Sequence, residues 1–223
     1  MIRFLSIADM VTLTNIIFGF IAIIMVFLNE MRFSFSLILL ALLADGLDGV
    51  IARKTRSSEL GEYLDAMADM SSFGIAPAIF VYATYFDAAS YCIYRHICLI
   101  AVLILFLSMN VIRLASFHII KNKNFFVGLP TPASTIIITL LAFLGIEFLY
   151  ILLVIFVVSF VMISSVHFLK LGHKMDVTAA ILIIIALIIG RNYNDIAPLI
   201  LLLAIMIYVI GGPIYLWKTK DKA

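Results

Sequence analysis

Charge is what this chain has least of. Only 13% of its 223 residues are Asp, Glu, Lys or Arg, while 65% are hydrophobic and the mean hydropathy is +1.22. A water-soluble domain of this size has no core large enough to hide so much apolar surface, so a soluble globular fold is excluded. Cysteine is almost absent as well. Cys92 and Cys98 are the only two, too few and too poorly spaced for a disulfide framework or a thiolate metal knuckle, and both read as packing residues. With five prolines and no Pro/Ser-rich or low-complexity tract, nothing marks a linker to a second domain, and residues 1–223 read as one integral-membrane domain. A net charge of +2 gives no basis for a nucleic-acid partner.

What the chain does have is long apolar runs. Stretches of the length needed to cross a bilayer, roughly 20 residues each, lie near 8–29, 33–53, 61–86, 96–117, 131–146, 147–169, 176–190 and 195–217. The expected fold class is therefore all-α, a polytopic membrane helix bundle of about eight transmembrane helices, the seventh of them short. The first run is full length and has no small-residue cleavage site, so it is expected to stay as helix one rather than leave as a signal peptide. Basic residues in short loops are retained on the cytoplasmic side. Arg3, Arg53, Lys54, Arg56, Lys121, Lys123, Lys170, Lys174, Lys218, Lys220 and Lys222 fall at one face, against Arg32, Arg95 and Arg191 at the other. The expectation is a multi-pass protein of the cytoplasmic membrane with both termini inside.

The charges that remain inside these runs are concentrated. DGLDGVIAR precedes one short basic turn and GEYLDAMAD follows it, which gives Asp45, Asp48, Gly49, Ala52, Arg53, Gly61, Asp65 and Asp69. At ~1.5 Å of rise per residue, Asp45 lies ~12 Å below Arg53 on the incoming helix and Asp69 ~12 Å below Gly61 on the outgoing one. Asp48 and Asp65 fall at about half that depth. Residues three or four apart share a helix face, so an antiparallel pair can aim all four carboxylates into one cavity that opens toward the cytoplasm. Ionisable groups at membrane depth are costly and mark functional pathways. Four carboxylates in one pocket also repel, so either some are protonated or cations compensate them, and Mg²⁺ or Mn²⁺ suits an all-oxygen ring. Gly49, Ala52 and Gly61 lie one turn from these aspartates. Small residues there either pack helices closely or leave a slot for a bulky ligand. Arg53 and its basic turn can hold phosphate oxygens.

The order Asp45, Gly46, Leu47, Asp48, Gly49, two residues, Ala52, Arg53, seven residues, Gly61, three residues, Asp65, three residues, Asp69 resembles the CDP-alcohol phosphotransferase signature at every fixed position. The resemblance implies a six-helix membrane core, a homodimer, and transfer of a phosphatidyl or related group from a CDP-linked lipid to an alcohol with release of CMP. It further implies that Asp45, Asp48, Asp65 and Asp69 bind two divalent cations, with Asp69 also the proton acceptor. Gly49, Ala52, Arg53 and Gly61 would contact the CDP moiety. Thr14 and Asn15 in helix one resemble a polar pair placed near the nucleotide in many members, although such a pair also serves as an interhelical hydrogen bond.

Two further segments bear on the acceptor. MSSFGIAPA follows Asp69 directly, with Ser71 and Ser72 beside the aspartates and with Gly74 and Pro77 expected to kink or open helix three. RLASFH begins at Arg113, and FVGLPTPAS, from Phe126 to Ser134, reads as a rigid turn into helix five. Together they resemble the phosphatidylserine synthase branch, archaetidylserine synthases included, over residues 9 to about 134. The branch often places a second arginine where this chain has Ser116. The implied substrates are CDP-diacylglycerol or CDP-archaeol, presented from the membrane lipids, and L-serine. Arg113, Ser71 and Ser72 are the candidate serine-binding residues. Arg113 could equally form a structural ion pair or touch a headgroup. Other acceptors, glycerol phosphate or inositol phosphate, are the nearest rivals within the family, and phosphate-bearing acceptors favour a denser basic pocket than this chain offers. A divalent-cation transporter is the rival from another class, but the inverted repeat of the acidic segment that transport predicts is not found.

Overall fold

The computed structural model describes residues 6–52, 60–117, 125–169, 173–189 and 196–220, without the side chains at 7–8, 48–52, 117, 173–177, 188–189 and 219–220. The chain order is α1 (Ile7–Phe27), α2 (Met31–Ala52), α3 (Gly61–Asp69), a π-helical turn (Met70–Ile75), α4 (Ala76–Thr84), α5 (Phe86–Ser90), α6 (Ile93–Phe117), β1 (Phe125–Val127), α7 (Thr131–Phe143), α8 (Phe148–Ile163), β2 (His167–Leu169), α9 (His173–Ile189) and α10 (Ile196–Lys220). The all-α membrane class is what the sequence led one to expect. Among the described residues, four stretches are long and apolar enough to cross a bilayer: Asp9–Phe27, Gly61–Thr84, Ile93–Ser116 and Ile196–Lys218. The apolar parts of α7, α8 and α9 are shorter.

Local chemistry explains where the elements start and stop. Ser6 caps α1 through a reciprocal pair in which its hydroxyl accepts from the Asp9 backbone N–H at 3.2 Å and the Asp9 carboxylate accepts from the Ser6 N–H at 2.6 Å. The run expected as one helix over 147–169 ends instead at Ile163, where Ser164 is extended. The residues beyond it form β2, which pairs antiparallel with β1 and sets Phe126 opposite Phe168. A three-residue strand after a long apolar run carries too little period-2 pattern to be seen in sequence.

The turn from β1 into α7 depends on Gly128. Its φ is +79°, its N–H donates to the Val166 carbonyl at 2.8 Å, and an added Cβ would collide with the Met162 carbonyl oxygen. Pro130 then takes the extended conformation at the helix N-cap and Pro132 sits in the first turn, where a missing N–H costs nothing. Gly128→Ala is therefore expected to lower stability in detergent, by roughly 1–2 kcal/mol from the left-handed backbone alone and by more from the clash. An unchanged unfolding midpoint would show that the turn is not held this tightly.

In lipid, helices gain little from burying apolar surface against one another, so close packing must hold the bundle. Small residues accordingly occupy its centre: Ala22, Ala41, Ala68, Ala76, Ala89, Ala133 and Ala142 are all buried. Helix α7 is buried on every side from Ala133 to Phe143 and forms the axis of the bundle. At the end remote from the aspartates, Phe35 of α2 stacks on Phe143 of α7 with centroids 4.1 Å apart. Nearby, the Tyr85 hydroxyl donates to the Ile146 carbonyl at 2.6 Å. Helix α1 lies along α2 and also touches α3, the π-helical turn and α4. That contact positions the site.

Candidate active site

Asp69 is the last residue of α3 and Met70 opens the π-helical turn, so the helix changes its winding directly after the last aspartate of the signature. The cause is seven residues on. Pro77 has no N–H, which deprives the Phe73 carbonyl of its α-helical donor. The Thr135 hydroxyl of α7 donates to that carbonyl instead, at 2.8 Å. Upstream, the Ala76 N–H reaches back five residues to the Ser71 carbonyl, the pattern of a π-bulge. The expected opening of helix three thus takes the form of a wider turn, and the group that satisfies the freed carbonyl comes from another helix rather than from Ser71 or Ser72.

The π-helical turn is pinned to α1. The Ser72 hydroxyl donates to the Asn15 carbonyl at 2.9 Å, and Asn15 Nδ2 donates to Asp69 Oδ1 at 3.4 Å. Asn15 and Ser72 are both fully buried. Room for this contact comes from Gly19, one turn along α1, where an added Cβ would collide with Ser72 Oγ and would lie 2.8 Å from Ser72 Cα.

Three of the four aspartates are brought together. One carboxylate oxygen from each of Asp45, Asp65 and Asp69 lies within 4.8 Å of the others, with Asp69 buried and the other two half-buried. At such separations each pair of like charges repels by on the order of 3 kcal/mol at an effective dielectric of 20. Neighbouring oxygens around a hard dication bound at ~2.1 Å stand about 3 Å apart, so three oxygens that lie within 4.8 Å of one another can close onto one ion by small rotamer adjustments. These carboxylates fit a divalent metal ion in donor type and in spacing.

The remaining expected site residues are distributed as follows. Asp48, Gly49 and Ala52 continue α2 beyond Asp45, with their side chains outside the described set, and Arg53 lies outside the described residues altogether. Gly61 begins α3. The Thr14 hydroxyl donates to the Met10 carbonyl of its own helix at 3.0 Å. Asn15 makes the interhelical bond to Asp69, the second of the two readings its sequence position allowed. Ser71 is half-buried on the π-helical turn, whereas the Ser72 hydroxyl is committed to α1. Arg113 is buried. Its Nε donates to the Leu129 carbonyl at 3.3 Å in the turn that Gly128 shapes, and Tyr208 of α10 lies within electrostatic reach. Ser116 Oγ donates back to the Arg113 carbonyl of its own helix at 2.9 Å, so this position supplies a backbone hydrogen bond and no second cation.

Sequence reasoning missed Gly19, Thr135 and Tyr208. Gly19 alone left a trace, as a glycine inside an unbroken apolar helix. Tyr208 belongs to a helix far along the chain and was indistinguishable from a lipid-facing aromatic. Its hydroxyl donates to the Leu169 carbonyl at 3.1 Å and so ties α10 to β2.

Comparison with known proteins agrees with this geometry. Residues 5–161 match the family model described as CDP-alcohol phosphatidyltransferase. The chain is 33% identical over 211 residues to a CDP-diacylglycerol–serine O-phosphatidyltransferase of Methanocaldococcus jannaschii, covering 94% of each chain. It is 30% identical over 171 residues to an archaetidylserine synthase of Methanothermobacter thermautotrophicus, covering 74% of this chain and 70% of the relative. A CDP-diacylglycerol–serine O-phosphatidyltransferase of Saccharomyces cerevisiae is 31% identical over 165 residues, 64% of this chain and 55% of the relative. The match spans α1 to α8, the helices that deliver Asp45, Asp65, Asp69, Asn15 and Arg113, and the chain belongs to the CDP-alcohol phosphatidyltransferase family.

Proposed function

We propose that this protein transfers a phosphatidyl or archaetidyl group from CDP-diacylglycerol or CDP-archaeol to the hydroxyl of L-serine, releasing CMP. The observation that carries the reading is the convergence of Asp45, Asp65 and Asp69 in a chain that matches the family model and is similar to relatives named for this reaction. Asp48 completes the ring, and the four carboxylates hold two divalent cations, Mg²⁺ or Mn²⁺. Bound there, the ions would supply charge neutralisation for the pyrophosphate.

The chain's own residues do the rest. Gly49, Ala52 and Gly61 leave room for the CDP group, with Arg53 at its phosphates. Thr14 lies on the α1 face near the nucleotide, and Asn15 holds Asp69. Arg113 receives the serine carboxylate through its guanidinium fork. Ser71 lies beside the acceptor. The serine hydroxyl gives its proton to Asp69 as its oxygen bonds to the lipid-side phosphorus, and the bond from that phosphorus to the CMP oxygen breaks. A carboxylate is a weak base, so placement of the hydroxyl against the phosphorus must contribute much of the rate. The lipid enters sideways between helices with its tails in the bilayer, and the site faces the cytoplasm, as the distribution of basic residues supports. The protein works as one multi-pass domain over residues 1–223 and pairs as a homodimer, which the family resemblance supports.

The test is CMP release by purified protein supplied with CDP-diacylglycerol or CDP-archaeol, each with L-serine, glycerol phosphate and inositol phosphate in turn, in Mg²⁺ and in Mn²⁺. L-Serine is expected to give the fastest release with at least one lipid and one ion. Faster release with glycerol phosphate would overturn the acceptor but leave the family intact. Metal flux into liposomes without CMP would favour transport.

A further inference from the structure

L-Serine presents three groups to an enzyme, and the site described above meets two of them: a cation for the carboxylate and a base for the hydroxyl. The ammonium needs an oxygen. Asn110 is a polar residue in the middle of the apolar helix α6, and it is fully buried. Its Nδ2 donates to the Phe106 carbonyl at 3.0 Å, which fixes the amide orientation and turns Oδ1 away from its own helix backbone. Oδ1 is buried and accepts a hydrogen bond from no described residue. A buried amide oxygen left in this state is uncommon and calls for an explanation.

Its position supplies one. Asn110 lies three residues before Arg113, so the two share a helix face with Cβ atoms about 5–6 Å apart, a span that one amino acid's ammonium and carboxylate can bridge. The depth also fits. Helix α6 returns across the bundle antiparallel to α3–α4, and Leu107 Cδ2 lies 3.6 Å from where a Gly74 Cβ would sit. Moving three residues toward the aspartates on each helix, about 4.5 Å, sets Asn110 level with Ser71; three more set Arg113 level with Ala68, beside Asp69. Helix α6 contacts both the π-helical turn and α3.

We infer that Asn110 Oδ1 accepts a hydrogen bond from the ammonium of the acceptor amino acid, and that Asn110 with Arg113 selects a zwitterionic α-amino acid over a plain hydroxy acid or amino alcohol. This rests on the serine reading above and adds the group that recognises the amine. A neutral amide oxygen suits the task, because a carboxylate there would add a fifth negative charge near the ring.

The experiment compares CMP release with L-serine, 3-hydroxypropionate, which lacks the amine, and ethanolamine, which lacks the carboxylate. Asn110→Leu is expected to raise KM for L-serine about 10- to 100-fold, the effect of losing one hydrogen bond to a charged group. KM for the CDP-lipid and turnover of 3-hydroxypropionate should stay within about twofold, since neither uses the amide oxygen. Equal losses with L-serine and 3-hydroxypropionate would make Asn110 structural and overturn the assignment, as would an unchanged KM for L-serine. Asn110→Asp, which keeps an oxygen acceptor, should retain the preference for L-serine over 3-hydroxypropionate even if the Leu variant does not fold, and loss of that preference would equally overturn it. A parent protein that does not use L-serine overturns both readings. One that uses it while the Leu variant keeps its selectivity overturns this one alone.

Discussion

Asp69→Asn is expected to lower turnover by about 10²- to 10⁴-fold, the range for loss of a positioned general base, while leaving CDP-lipid binding near that of the parent. The substitution is nearly isosteric. The new side-chain carbonyl can still accept from Asn15 Nδ2, which lies 3.4 Å from Asp69 Oδ1, so the tie between α1 and the π-helical turn survives. What disappears is a group able to take a proton, together with one anionic oxygen of the Asp45–Asp65–Asp69 cluster. Titration with divalent ion separates these two losses. Turnover that returns at saturating metal would assign the defect to ion affinity and remove Asp69 as the base; turnover that stays low with metal bound is the expected result. A variant within tenfold of the parent would sink the assignment outright.

Gly19→Ala should damage both stability and rate, although Gly19 touches no substrate. The added methyl would collide with Ser72 Oγ and lie 2.8 Å from Ser72 Cα and 2.9 Å from Ser72 Cβ, so α1 and the π-helical turn must separate. Overpacking of this kind costs about 1–3 kcal/mol. The separation would also stretch the Ser72–Asn15 and Asn15–Asp69 hydrogen bonds, the chain of contacts that fixes the proton-accepting carboxylate. A displacement near 1 Å at such a group costs about 10²-fold in rate. Adding Ser72→Gly removes the Oγ and Cβ contacts but leaves the Cα, so the double variant should recover only part of the loss. Parent-like melting and turnover in Gly19→Ala alone would show that the helices have slack here.

Much of the site was legible because its chemistry is local. Asp65 and Asp69 are four residues apart on one helix, and no fold is needed to put them on one face. Asp45 could be added because a short basic turn forces an antiparallel return at matched depth. Thr14 and Asn15 show where this kind of inference stops. Adjacent residues on a helix point in different directions, and only the packing of α1 decided that Asn15 would reach Asp69 while Thr14 bonded its own helix. Ser71 and Ser72 divide in the same way, and the division depends on a π-helical turn whose stabilising donor, Thr135, lies 62 residues from the carbonyl it serves.

The sequence by itself determined the membrane setting, the helical class and the acidic cluster, since hydropathy and helical spacing follow from side-chain chemistry over a few turns. Tertiary structure alone decided the β1–β2 pairing, the buried place of Arg113 against the Leu129 carbonyl, and the approach of Tyr208 from α10. Those features arise where segments distant in the chain meet, and between helices in lipid the partner is chosen by close fit and by the polar groups left to satisfy, neither of which a one-dimensional pattern records.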